Sequence, residues 1–117
     1  MEAETQDIYE KLVSEIRRGA LVLAVLAQMR QEHYGYSLRK ALADQGLDVE
    51  EGTLYPLIRR LETQGLLSSE WREEGKRKKR FYRLSDQGAT VYAQLLNQWQ
   101  ALNKSMNLIV GPIQAHA

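Results

Sequence analysis

The chain has 117 residues, 44% hydrophobic and 26% charged, a balance that suits one folded domain with short appended elements and argues against disorder. It has no cysteine, which excludes disulfides, thiolate chemistry and cysteine-built metal sites and fits a reducing, cytoplasmic setting. The net charge of +1 conceals a local asymmetry: residues 1–15 carry five acids against Lys11, whereas residues 76–83 carry six bases and no acid.

Residues 1–6 are polar. From Asp7 onward, Ile8, Leu12, Val13 and Ile16 recur at spacings of three and four, which predicts a helix. Arg17, Arg18 and Gly19 are expected to interrupt it. Ala20–Met29 is then apolar nearly all round, as a helix buried in the centre of a small domain would be. The longest apolar run, Ala20 to Ala27, falls far short of the roughly 20 residues of a membrane span. An acidic leader also has the wrong sign for a signal peptide, so no membrane partner is expected.

In GYSLRKALADQG, Ser37 is placed to cap a second helix, Leu38, Ala41 and Leu42 share one face, and Gly46 stops it. A third helix begins near Glu51–Thr53, with Thr53 as its N-cap and Pro56 in the first turn, where the missing N–H costs nothing. Leu54, Leu57, Ile58 and Leu61 form its inward stripe. Thr53, Pro56, Arg60 and Thr63 face outward with Tyr55 and Arg59 beside them, and Gly65 ends the helix. Leu66–Glu73 and Arg80–Leu84 alternate as two antiparallel strands around Gly75, with Trp71 expected in the core.

Ser85 and Asp86 open a last helix that runs to about Val110 and stops at Gly111-Pro112. Along it, Tyr92, Leu95, Trp99, Leu102, Met106 and Ile109 recur at the a/d spacing of a coiled-coil seam. The predicted fold is mainly α with a small β-hairpin (α+β), a winged helix-turn-helix followed by a long helix. Residues 1–19 are expected to form an acidic helix or arm, 20–86 the winged helix-turn-helix domain, and 87–117 the long C-terminal helix and a tail.

The chemistry concentrates in two places. Lys76, Arg77, Lys78, Lys79 and Arg80 are five adjacent like charges at the turn beside the third helix. They repel one another unless an anion lies close, and the backbone of double-stranded DNA is the natural partner. The exposed N-terminal end of the third helix, with Thr53, Leu54 and Tyr55, would then reach base edges in the major groove, and Arg59 or Arg60 a guanine or a phosphate. The plain alternative is that Tyr55 packs and the arginines form a solvated face. Tyr36 and Ser37, opening the second helix, either donate to a phosphate or serve to cap and pack.

On the last helix, a second copy would bury Leu95, Trp99, Leu102 and Met106, each worth roughly 1.5–3 kcal/mol when fully buried. Tyr92 and Ile109 lie on the same stripe, and Ile8 and Leu12 of the first helix are expected to join the homodimer interface. For Tyr92 the alternative is packing against its own domain. Two copies of Trp99 meeting near a two-fold axis would sandwich a small planar aromatic effector, with Leu95 beside them; the alternative is a tryptophan in a closed interface. His33 and His116 have no carboxylate or cysteine at ligand spacing, and no nucleophile, acid–base pair or phosphate loop is assembled. No metal, cofactor or catalysis is expected.

Four segments, RRGALVLAVLA, HYGYSLRKAL, EGTLYPLIRRLETQGLLSSEW and KRFYRLSDQG, lie between Arg17 and Gly88. Together they resemble the PadR family of bacterial transcriptional regulators, and the single long helix after the wing is similar to its short-tailed, LmrR-like branch. The resemblance implies a homodimer made through the terminal helices, a palindromic operator and repression. In that branch it also implies a planar drug at a tryptophan of the last helix, where Trp99 stands. The chain departs from the family in the loop before the second strand, which often carries glycine and proline and here is Gly75 followed by five bases. A sequence-specific DNA-binding regulator is therefore expected. The alternative is a winged-helix module that docks a protein partner and lays its basic loop on an acidic surface.

Overall fold

Apolar side chains three and four residues apart bring three helices onto one core. α1 (Ala3–Gln28), α2 (Gly35–Asp44) and α3 (Glu51–Thr63) contribute Leu21, Val25, Leu26, Leu38, Leu42, Leu54, Leu57, Ile58 and Leu61. Leu67 of β2 (Leu67–Glu74) and Tyr82 of β3 (Arg77–Leu84) close it from the sheet side, and α4 (Asp86–Val110) follows. The computed structural model describes residues 2–112, so His116 and the end of the expected tail lie outside the described residues.

α1 is a single helix that runs straight through Arg17, Arg18 and Gly19, where an interruption was expected. A lone helix glycine costs only about 1 kcal/mol relative to alanine. The buried turns that follow, at Leu21, Val25 and Leu26, outweigh that cost. The acidic segment is thus the first part of the same helix.

Two helix starts differ from the sequence pattern. α2 begins two residues before Ser37, with Tyr34 as N-cap. Ser37 instead sits inside the first turn, where its Oγ accepts from the Tyr34 N–H and donates to the Tyr34 carbonyl, both at 3.0 Å. α3 begins at Glu51 with Glu50 as N-cap, so Thr53 caps nothing and Pro56 falls one turn further in. The missing N–H of Pro56 therefore leaves the Gly52 carbonyl without its i+4 donor. The ends agree with expectation: Leu47 and Leu66, just past Gly46 and Gly65, donate back to Leu42 and Leu61 at 2.8 and 2.9 Å.

β2 and β3 pair in register from Leu67↔Leu84 to Glu74↔Arg77, leaving a two-residue turn of Gly75 and Lys76. Gly75 has φ of 63°, the positive value that the first central residue of a type II′ turn needs. The ribbon is longer than the alternation suggested, and Arg77, Lys78 and Lys79 belong to the strand rather than the turn. Trp71, expected in the core, is 61% exposed. It faces the same way as Leu67 and Ser69 but lies one step beyond the Ser69↔Tyr82 pair, where the core ends.

A short third strand, β1 (His33–Tyr34), adds to β3 through His33↔Tyr82 and Tyr34↔Phe81, giving an antiparallel sheet in the order β1-β3-β2. Two residues are too few to show a period, so this strand has no signature among the residues read in order. Ser85 caps α4, its Oγ accepting from the Gly88 N–H at 2.9 Å, and the helix runs to Val110 as expected. Among the described residues no helix is long and apolar enough to cross a membrane. Among the described residues, four helices with a three-stranded wing make this a winged helix-turn-helix with a long final helix.

Candidate nucleic-acid interface

The buried stripe of α3 fixes what its other side presents. With Leu54, Leu57, Ile58 and Leu61 turned to the core, the outermost positions are Gly52, Pro56, Arg59 and Thr63. Leu54 is 0% exposed, so it holds the helix in place and cannot touch DNA, contrary to its expected part in the contact. Arg59 is the one long side chain of the outermost four. Thr53 and Arg60 are exposed but stand to one flank, lining a cleft of about 770 Å³ shared with Arg17 and Leu21 of α1.

Tyr55 and Glu62 stand on the other flank, toward the ribbon. Tyr55 is half-buried against the start of α2, where a β-carbon at Gly35 would come within 2.9 Å of its Cε1. Tyr55 therefore packs, while part of its surface stays open. Tyr36, Tyr55, Arg59, Trp71, Lys79 and Arg80 together line a cleft of about 280 Å³ between α2, α3 and the ribbon. Tyr36 is well exposed there and stacks on Tyr34 at 6.4 Å between ring centroids. Ser37 has its hydroxyl engaged by Tyr34 and by His33 Nδ1 at 3.0 Å, so capping takes precedence over donation to a phosphate.

The five bases do not act as one cluster. Side chains alternate along a strand, so Arg77 and Lys79 leave one face of the ribbon and Lys78 and Arg80 the other. Lys79 lies 3.2 Å from Glu74 and its Nζ is 4.3 Å from the Tyr34 ring centroid; the Glu74 carboxylate raises its pKa. Arg80 is drawn inward to Glu62 at 3.0 Å. Lys76, Arg77 and Lys78 remain exposed, with Glu74 opposite Arg77 and Glu73 opposite Lys78 in the register. Residues 67–84 hold seven bases against three acids, so the ribbon stays cationic, though less so than the basic run alone suggests.

At the base of the ribbon Arg72 gathers two carboxylates, donating to Glu32 at 2.6 Å and also to Glu70, while its guanidinium lies 4.6 Å from the Phe81 ring centroid. That hydrogen bond lowers the Glu32 pKa, and the two acids raise that of Arg72. These contacts brace β2 against the loop that follows α1. Among the described residues no group of three metal-ligating side chains comes together.

Residues 22–94 match the family model of the "Transcriptional regulator PadR-like family". The chain belongs to that family. A transcriptional regulator of Mycobacterium tuberculosis is 36% identical over 98 residues, covering 83% of this chain and 89% of that protein. The crystal structure of a PadR family transcriptional regulator from Eggerthella lenta is similar with a TM-score of 0.85 and 43% identity, over 96% of this chain and 100% of that one. A PadR-like transcription factor from Bacteroides fragilis is similar with a TM-score of 0.73 and 32% identity, over 85% and 98% of the two chains. A PadR-like chain is a transcriptional regulator and not an enzyme, which implies that DNA is its partner.

The apolar stripe of this PadR-like chain divides in two. Tyr92 packs against its own core, with the Arg30 guanidinium 5.4 Å from its ring centroid. Leu95, Trp99, Leu102, Met106 and Ile109 are exposed in the single chain, Ile109 at 76%, as are Ile8 and Leu12 on α1. Sequence reasoning missed Glu62, Ser69 and the exposed Trp71 at this surface. Counting alternation back from the Gly75-Lys76 turn would have found Ser69 and Trp71, since it sets Trp71 opposite Arg80 and puts both strand residues on the side of Tyr82.

Proposed function

We propose that this PadR-like chain is a repressor that binds a palindromic operator as a homodimer. α3 enters the major groove with Arg59 at its exposed centre, flanked by Thr53, Tyr55 and Arg60. Lys76, Arg77 and Lys78 of the ribbon and Tyr36 of α2 hold the adjoining phosphates. The observation that carries this reading is the shared cleft of Tyr36, Tyr55, Arg59 and Lys79, which brings α2, α3 and the ribbon to one surface rich in positive charge and hydroxyls.

In this reading residues 20–86 form the DNA-binding part, and α4 with the first turns of α1 forms the dimer. The exposed run from Leu95 to Ile109, joined by Ile8 and Leu12, supports it, because so long an apolar stripe stays wet in a lone chain. Palindromic readout requires a two-fold axis through the paired α4 helices to set two copies of α3 about 34 Å apart, one turn of DNA. Trp99, 39% exposed with Leu95 one turn before it, then faces its own copy and offers a flat apolar slot to a planar aromatic effector.

Fluorescence anisotropy against the duplex upstream of its own operon, at low and moderate salt, tests the reading. Selective binding that weakens steeply with salt, at a stoichiometry of two chains per site, is the expected result. Failure to bind any duplex at low salt overturns it. For the effector, quenching by planar aromatics that is abolished in Trp99→Phe is expected, and a flat response across such compounds removes that part.

A further inference from the structure

Glu62 stands on the ribbon flank of α3, where its carboxylate would repel a nearby phosphate backbone. Arg80 meets it: Nη2 donates to the two carboxylate oxygens at 3.0 and 3.1 Å, and Nε donates to Ser69 Oγ at 2.9 Å. Ser69 Oγ donates to the same carboxylate. The Arg80 guanidinium also packs over two rings, 5.5 Å from the Trp71 centroid and 5.7 Å from that of Tyr82. The network is partly buried and multidentate, unlike the single exposed contact of Lys40 with Asp44.

We infer that Arg80 is a positioning residue, which with Glu62 and Ser69 sets the angle of the ribbon against α3. The inference rests on the reading of α3 and the ribbon as the DNA surface. The tie sits where the ribbon leaves the core, at the pairs Ser69↔Tyr82 and Trp71↔Arg80. Beyond it, residues 73–78 are exposed throughout, so their direction is inherited from the base of the ribbon. With Nε and Nη2 both engaged, the Arg80 guanidinium is turned toward α3 and keeps Nη1 alone for any outside acceptor. Trp71 gains a role as well, since its exposed indole covers the guanidinium.

The charge makes the inference testable. Glu62→Gln deletes a negative charge beside the DNA surface, so electrostatics alone tightens binding. Loss of the tie weakens it. We expect Glu62→Gln to bind the upstream duplex about tenfold more weakly, with an unchanged melting profile by circular dichroism. Arg80→Gln should weaken binding similarly while keeping the salt slope of the parent; a direct phosphate contact would instead lower that slope by about one. Should Glu62→Gln fail to fold, Ser69→Ala removes only the bridging hydroxyl and carries the same expectation in smaller measure.

Binding by Glu62→Gln as tight as the parent or tighter overturns the inference, and so does a reduced salt slope in Arg80→Gln. A parent that binds no duplex overturns the DNA reading instead. The tie is then judged by Trp71 emission in a Trp99→Phe background: a shift on Glu62→Gln upholds it, and an unchanged spectrum removes it.

Discussion

Gly88, in the first turn of α4, lies against the carbonyl of Leu66, so close that a β-carbon built on it would stand 1.9 Å from that oxygen. The same oxygen accepts the Ser85 N–H at 3.1 Å, and Ser85 Oγ donates to the Gly65 carbonyl at 2.6 Å. The end of α3 and the start of α4 are therefore one joint. Backbone occupies the space, so an added methyl has to push the two helices apart. Gly88→Ala should cost about 1–3 kcal/mol or more of stability, read as a lower urea midpoint. An unchanged midpoint would mean that the joint yields freely.

Leu54 and Arg59 separate packing from contact on the same helix. Leu54→Ala should lower stability by about 2–5 kcal/mol, since it empties a fully buried position. Arg59→Ala should leave the melting temperature within error and weaken DNA binding at every sequence or at one base position, according to what Arg59 touches. Reversal of the two effects would require a different face of α3 to meet DNA.

Lys76, Arg77 and Lys78 are exposed cations at the tip of the ribbon. Changing all three to glutamine should reduce the slope of log affinity against log salt by up to about 2.7, at about 0.9 per phosphate. The same change at Lys79 should do less, because Glu74 and the Tyr34 ring already hold it. Equal effects from all four would show that Lys79 leaves Glu74 and the Tyr34 ring on DNA.

His33 carries a pH dependence. Burial lowers its pKa below the ordinary 6.5, its Nε2 is buried without a partner, and Nδ1 meets Ser37. The unfolded chain therefore takes up the proton more readily than the folded one. Stability is fully present above about pH 6.5 and declines as pH falls below it. Chemical denaturation between about pH 7 and 5 should show this slope, and His33→Gln should flatten it. A slope that survives the substitution assigns the effect to other groups.

The proposed dimer is tested by charge placed on its stripe. Leu102→Glu with Ile109→Glu should yield single chains by sedimentation at concentrations where the parent sediments as a pair. Both residues are exposed in the lone chain, so the fold itself should survive. Pairing that persists would move the interface elsewhere.

The helices and their stops were legible because Leu54, Leu57, Ile58 and Leu61, and likewise Gly46 and Gly65, act through spacing and local backbone demand. The ribbon was harder to read. Its length depends on cross-strand pairing between Arg72 and Lys79 and between Glu73 and Lys78, which no charge pattern along one strand reveals. The same limit hid Glu62 and Arg80, 18 residues apart, whose contact needs both the turn at Gly75 and the face of α3 to be known. Gly19 misled for a different reason, since its local cost is small beside burial in the turns after it.

The order β1-β3-β2 leaves β2 with an open row of amides and carbonyls. Along that margin stand Glu70, Arg72, Glu73 and Glu74, four charges within five residues. A second ribbon seeking to add itself there would meet its own kind of charge and lose the solvation of each carboxylate. Growth of the sheet from chain to chain is thereby discouraged, and a protein with so much uncovered aliphatic surface on α4 is steered away from fibrous association.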